Sequence, residues 1–415
     1  MDRTASPASL KSLWSLDPAV TFLNHGSFGA CPRVVLDAQQ RHRAEMEREP
    51  VRFFTRIAPP LFDAARQALA RLLGADERDL VFVTNATAGV NAVLRSLRWQ
   101  TGDELLVTDH AYNACRNVVD YVAKREGVAV NVCHLKFPVA SADECIDAIV
   151  GAATPLTRLA MIDHVTSATG LVLPIEAITR QLQSRGIDVL VDGAHAPGQV
   201  ELNLDQLNAA YYTGNCHKWL CAPKGAGFLH VREDRQAGIV PPVISHGFNS
   251  ARAGRSHLHD LFDWTGTLDV SPMLCVEDAI EFVSTLLPAG GHGGAAPGLS
   301  ALMAHNRQLA LTGRRILCEA LQVAPPVPEE MVGSLAAVEL PADPHPQPQL
   351  DFTTSPTPQH MLQSRLMREH QIEVPAFYFP KHPRRLLRIS AQVYNETSEY
   401  EKLAAALVGL LAELA

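Results

Sequence analysis

The run Val189-Leu190-Val191-Asp192-Gly193-Ala194-His195 is followed, about one strand–helix–strand step later, by Thr213-Gly214-Asn215-Cys216-His217-Lys218-Trp219. A stretch of aliphatics ends in a lone Asp, and a short β-rich stretch ends near a lone Lys. Working outward, the same pattern recurs. Asp79–Thr84, Glu104–Thr108, Val128–Cys133, Arg158–Asp163, Ile187–Asp192, Ala209–Thr213 and Ala226–Val231 all read as strands. Helical periodicity falls between several of them, over Ala88–Leu97, Asn113–Arg125, Ala142–Gly151 and Pro174–Arg185. Such alternation predicts an α/β fold, a mostly parallel sheet covered by helices. In that architecture ligands sit at the carboxyl ends of the strands. Thr84, Asp109, Asp163, Asp192 and Thr213 all fall at such ends.

Composition bounds the class. The chain has 415 residues, 47% hydrophobic and 19% charged, which suits a globular protein with a large core. A net charge of -8 and no basic stripe argue against a nucleic-acid partner. No secretory leader and no long uninterrupted apolar window is visible, so no membrane association is expected. The eight Cys are scattered without a Cys-x-x-Cys pair and read as reduced, packed thiols of a cytoplasmic protein. Pro288–Ser300, rich in Gly and Ala, reads as a flexible connection, and Pro341–Pro358 as a surface excursion. These breaks divide the chain into residues 1–60, associated with a small domain, a large domain over 61–275, and a smaller α+β domain over 276–415.

The Asp–Lys pairing suits pyridoxal 5'-phosphate (PLP): an Asp holds the pyridine nitrogen protonated and a Lys condenses with the aldehyde. Thr84-Asn85-Ala86-Thr87-Ala88-Gly89-Val90-Asn91 places small residues and hydroxyls where a strand gives way to a helix. That offers either an anion site for the phosphate or an ordinary cap made by Asn85 or Thr87. Asn215 and His217, close to Lys218, add donors. His110 or Tyr112 stands where a side chain either stacks on the ring or simply packs. Ser167, in the loop Asp163–Gly170, reaches toward the phenolic oxygen. Of the 17 His, His257 and His259 beside Asp260 form the best cluster, but no second ligand group pairs with them and no metal is expected. Phe53-Phe54 and Phe377-Tyr378 read as core or as a pocket wall.

Leu23-Asn24-His25-Gly26-Ser27-Phe28-Gly29, Thr84–Asn91, Val191–His195 and Gly214–Lys218 closely resemble class V aminotransferase-fold proteins, nearest the isopenicillin N epimerase-like branch. Gly254–Ser256, Phe262–Thr267 and Arg388–Asn395 extend the match. The resemblance implies PLP fold-type I: a large domain with a mostly parallel seven-stranded sheet, a smaller α+β C-terminal domain, and a homodimer with a shared active site. It makes Lys218 the cofactor lysine and Asp192 the pyridinium partner, with His110 beside them as a catalytic residue. Ala86, Thr87, Ser167, His195, Asn215 and His217 complete the cofactor set, with Thr267 reaching in from the other subunit. Arg388 would take the carboxylate of an amino-acid substrate, and Asn24, His25 and Tyr112 would line the substrate side. The implied reaction is epimerisation at Cα, with β-elimination of a carbon–sulfur bond or transamination as alternatives. No Cys lies between Cys318 and Arg388, so the usual nucleophilic cysteine of the related desulfurases is missing.

Overall fold

The computed structural model describes residues 10–250, 252, 254–288, 297–348, 350–351 and 359–413. The Gly/Ala-rich connection 288–300 lies largely outside the described residues, as does part of the Pro-rich stretch 341–358. Seven strands form the main sheet: β1 Leu80–Val83, β2 Glu104–Thr108, β3 Ala129–Cys133, β4 Thr157–Asp163, β5 Asp188–Gly193, β6 Tyr211–Asn215 and β7 Gly227–Val231. Their order across the sheet is β3-β2-β4-β5-β6-β7-β1, and β7 alone runs against its neighbours. All seven expected strands are present. The β6 segment ends two residues beyond the expected Thr213, because Gly214 and Asn215 continue the ladder with Phe228 and Gly227 of antiparallel β7.

The strands read as near-continuous apolar runs because helices cover both faces of the sheet. Successive side chains alternate between two cores. Val189 and Val191 belong to one, Leu190 to the other. The helices Ala86–Ser96 and Asn113–Glu126 bring Val90, Val93, Val119 and Val122 to the second core. The first receives Ile178 and Leu182 from Ile175–Gln183 and merges with the rest of the chain.

That remainder is built on a three-stranded antiparallel sheet of β8 Leu335–Leu340, β9 Ala376–Tyr378 and β10 Arg385–Ser390, in the order β9-β10-β8. The helices Pro297–Leu321 and Thr397–Glu413 pack beside it. Thr21–Phe22 pairs in parallel with Ile372–Glu373, so a segment early in the chain is stitched to one near its end. The helices Arg33–Arg48 and Ala58–Leu73 are findings of the structure. Among the described residues no helix is long and apolar enough to cross a membrane.

Candidate active site

β4, β5 and β6 end side by side, and their last polar residues, Asp163, Asp192 and Asn215, line one cavity of about 400 Å³. Asn85, Ala86 and Thr87 border it at the start of a helix. Tyr112 and Ser167 enter from the loops after β2 and β4, and His195, His217 and Lys218 from those after β5 and β6. Gly193, next to Asp192, is small for a reason: a Cβ there would meet the Tyr212 ring at 2.2 Å.

Lys218 opens into this cavity, and its Nζ donates to His195 Nε2 at 3.0 Å. Burial, reinforced by the Arg388 guanidinium, pulls the ammonium down to about 7, so a neutral amine is accessible near neutrality. His195 is itself held neutral by burial and by the same cations, and its Nδ1 is buried without a partner. The loop carrying Lys218 is braced from outside the large sheet. His25, fully buried, lies 3.0 Å from the Lys218 carbonyl through Nε2 and 2.8 Å from the Tyr394 hydroxyl through Nδ1. Gly29, at φ +70°, passes so close that a Cβ would lie 2.1 Å from the His217 carbonyl oxygen.

Asp192 is 2% exposed. Its Oδ1 accepts the Ala194 N–H at 3.0 Å and its Oδ2 the Cys115 thiol at 3.1 Å. Among the described residues no Lys or Arg pairs with it, which suits a carboxylate whose cationic partner is a bound ring. At the helix start the capping reading holds for Asn85, whose Oδ1 accepts the Ala88 N–H at 2.9 Å. Ala86 N–H donates to Asn215 Oδ1 at 2.8 Å, so these two expected anion contacts satisfy each other. The Thr87 hydroxyl, the Asn215 amide nitrogen and the positive helix end remain for a phosphate, and His217 Nε2 would join them once a bound phosphate protonates the ring. His217 spends Nδ1 on the Ala226 carbonyl at 2.9 Å.

Arg388, on β10, is 1% exposed and has no carboxylate partner among the described residues. Its donors meet neutral groups: the Ser167 carbonyl, Ser27 Oγ at 3.2 Å and Asn24 Oδ1 at 3.4 Å. Nε has no partner, and the guanidinium sits 5.5 Å over the Phe377 ring. A buried cation without a counter-ion is costly, and an incoming carboxylate would relieve that cost. Burial lowers its pKa to about 10. Donor set, Asp192 and enclosed amine together fit PLP and an amino acid.

Not every expected residue meets the cavity. His110 turns into an aromatic cluster, 4.6 Å from the Phe379 ring centre, with Nδ1 bonded to Thr169 at 3.0 Å. Tyr112, not His110, lines the cavity, because apolar packing claims the imidazole. His25 holds the backbone behind Lys218 and does not line the substrate side. Asn24 acts through Arg388 and Ser27, the latter bonded to it at 2.6 Å. Thr267 lies in an exposed loop and does not line the cavity of its own chain. Phe53 is fully buried core against Phe54. His259 Nε2 is bonded to the Glu77 carbonyl and Asp260 to Arg252, so those groups are spent. Ser27 and Cys115 are the residues sequence reading missed. A thiol in a helix reads as packing, and a Ser ahead of Phe28 carries no spacing that marks it.

Several buried imidazoles give a pH prediction. Burial lowers His25, His164, His217, His230 and His360 to about 4. Unfolded, each titrates near 6.5 and therefore binds more protons than the folded form between pH 6.5 and 4. Stability from these groups is complete above 6.5 and is lost as pH falls through that window, by at most roughly 3 kcal/mol each. Urea midpoints of the protein at pH 7 and pH 5 should differ strongly; equal midpoints would contradict the neutral imidazoles.

A seven-stranded sheet ending in a buried Asp, with an enclosed Lys beyond the next strand, defines a PLP enzyme of fold-type I. The family model "Aminotransferase class-V" matches residues 22–287, and the chain belongs to that family. It is 37% identical over 412 residues to isopenicillin N epimerase of Amycolatopsis lactamdurans, covering 96% of this chain and 97% of that protein. It is 34% identical to the Streptomyces clavuligerus isopenicillin N epimerase, covering 96% of each. A probable chloroplastic L-cysteine desulfhydrase of Arabidopsis thaliana is 30% identical, over 95% of this chain and 84% of that one. Among solved structures, a cysteine desulfurase of Thermococcus onnurineus superposes with a TM-score of 0.78 at 17% identity, covering all of both chains. The cystine C–S lyase C-DES, in a structure with glycine covalently linked to PLP, gives 0.75 at 22% identity over 98% and 99% of the chains.

Proposed function

We propose that the protein is a cytoplasmic, homodimeric PLP enzyme that epimerises an amino acid at Cα, in the manner of the isopenicillin N epimerases. The observation that carries this reading is the 37% and 34% identity to two such enzymes along nearly the whole chain. It is joined to a cavity holding a neutral-prone amine, with the buried Arg388 guanidinium bonded to Ser167 and Ser27 of its wall. When bound, PLP supplies the electron sink that makes the Cα proton removable. The chain's own residues do the rest. Arg388 takes the substrate carboxylate bidentately, with Asn24 and Ser27 holding its fork. Lys218 moves the proton at Cα as base and acid, oriented by its bond to His195 Nε2. Asp192 holds the ring nitrogen, and Thr87, Asn215 and His217 hold the phosphate. Tyr112 stands at the substrate side, and Thr267 completes the phosphate site of the partner subunit. In this reading residues 1–60 associate with the small domain, 61–275 form the cofactor domain and 276–415 the small domain. The parallel pairing of Thr21–Phe22 with Ile372–Glu373 supports the first division.

A second reading, β-elimination of a carbon–sulfur bond, is favoured by the desulfhydrase relative. It does not extend to desulfuration through a persulfide carried on a protein cysteine, since all eight thiols are buried. A panel of L-amino acids and cysteine S-conjugates in deuterated water separates the readings. Deuterated D-isomer without keto acid supports epimerisation. Pyruvate with a released thiol supports the lyase, and keto acid with an aminated cofactor would replace both with transamination.

Arg388→Ala should raise KM for any carboxylate substrate about 10- to 100-fold, the worth of a charged hydrogen-bonded contact of roughly 1.5–3 kcal/mol. Initial-rate kinetics check this, and an unaltered KM would place the carboxylate elsewhere.

A further inference from the structure

Two buried carboxyl groups stand next to each other at the centre of the cavity, and the proposed reaction uses one. Asp163 ends β4, Asp192 stands near the end of β5, and the two are direct register partners in the parallel ladder. Partners across a ladder present their side chains to the same face, and both line the cavity. Asp163 is 4% exposed and Asp192 2%. Neither has an Arg or Lys within ion-pair distance among the described residues. Two bare charges this close in a dry site are prohibitive, so the pair holds a proton.

The surrounding donors decide where that proton sits. Asp192 already receives two donors, the Ala194 N–H and the Cys115 thiol, at 3.0 and 3.1 Å. Cys115 faces the pair as a donor, because burial and Asp192 keep its thiol protonated. Asp163 has the Tyr112 backbone amide and its own to favour its charge, and Lys218 at longer range. Burial, with the Asp192 charge next, drives Asp163 well above the ordinary carboxylate range, and these three favourable groups do not offset that. The titratable groups facing the pair are thus Tyr112 ahead of the helix Asn113–Glu126, Cys115 within it, Tyr212 on β6, Lys218 from beyond β6, and the two carboxyls themselves.

We propose that Asp163 is a positioning residue that stays a neutral carboxylic acid, so that the Asp163–Asp192 pair carries a single negative charge matched to one pyridinium. It acts through Asp192, supplying a proton-bearing neighbour where a second carboxylate would overbind the cation. The inference rests on the reading that Asp192 takes the ring nitrogen.

The experiment is infrared difference spectroscopy of the full-length protein, first stripped of PLP and then reloaded. Wild type should show the carbonyl stretch of a protonated carboxylic acid at neutral pH. That band should vanish in Asp163→Asn and titrate at lower pH in Asp192→Asn, where the neighbouring charge is gone. Asp163→Asn, which preserves shape and neutrality, should leave the PLP dissociation constant within about threefold. A wild type without the band, a band that survives Asp163→Asn, or a titration unmoved by Asp192→Asn would overturn the proposal. So would loss of PLP affinity in Asp163→Asn as deep as in Asp192→Asn. If instead the band behaves as expected while Asp192→Asn binds PLP like wild type, the pair is as described and the assignment of Asp192 to the ring nitrogen fails.

Discussion

Lys218→Ala abolishes the visible absorption of the covalently held cofactor and lowers turnover by about 10³-fold or more. The residue supplies both the covalent tether and the proton carrier at Cα. Its surroundings make the effect specific. The amine is brought to about 7 by burial and by Arg388, and it is aimed by a 3.0 Å bond to His195. Among the described residues no other Lys lines the cavity. Far-ultraviolet circular dichroism of the variant should match wild type, because among the described residues the Lys218 amine has its bond to His195 and no ion pair. An absorbance spectrum with the imine band intact would remove Lys218 from the role. Its pH dependence follows in sign: the neutral amine gains population as pH rises through about 7, so cofactor reloading should speed up across that range.

Asp192→Ala lowers exchange of the substrate Cα proton by at least about 100-fold, the scale of removing one preorganised electrostatic contact from a closed site. The variant also strands two donors, the Ala194 N–H and the Cys115 thiol, that now end on Oδ1 and Oδ2. Deuterium incorporation measured by mass spectrometry is the direct readout, since it reports Cα deprotonation whatever follows. Unchanged exchange would show that the ring nitrogen does not depend on this carboxylate.

Much of this architecture was legible in the chain because the relevant forces are local. Seven aliphatic runs with helical patterns between them allow few alternatives, and polar residues at the run ends mark the crevice. Asp192, Lys218, Asn215 and His217 follow from that logic. What escaped was set by packing between distant segments. His110 sits at a strand end like the others, yet Phe137 and Phe379 draw it away from the cavity, and the Phe379 contact comes from far along the chain. His25 carries the same chemistry as a substrate-facing imidazole, but the Tyr394 hydroxyl and the Lys218 carbonyl claim both its nitrogens. The direction of β7 was equally hidden, since an apolar run buried on both faces reads the same in either sense.

The clasp at His25 has a consequence for how the protein comes into being. One imidazole from the first thirty residues joins a phenol from the last thirty to the peptide carbonyl of Lys218. During synthesis the large sheet can therefore assemble, with its strand ends already converging, well before that clasp can close. The nascent chain would carry a crevice without a set nucleophile and would gain one when Tyr394, just ahead of the helix Thr397–Glu413, arrives. A protein built this way keeps its reactive amine unready until that tyrosine has been made.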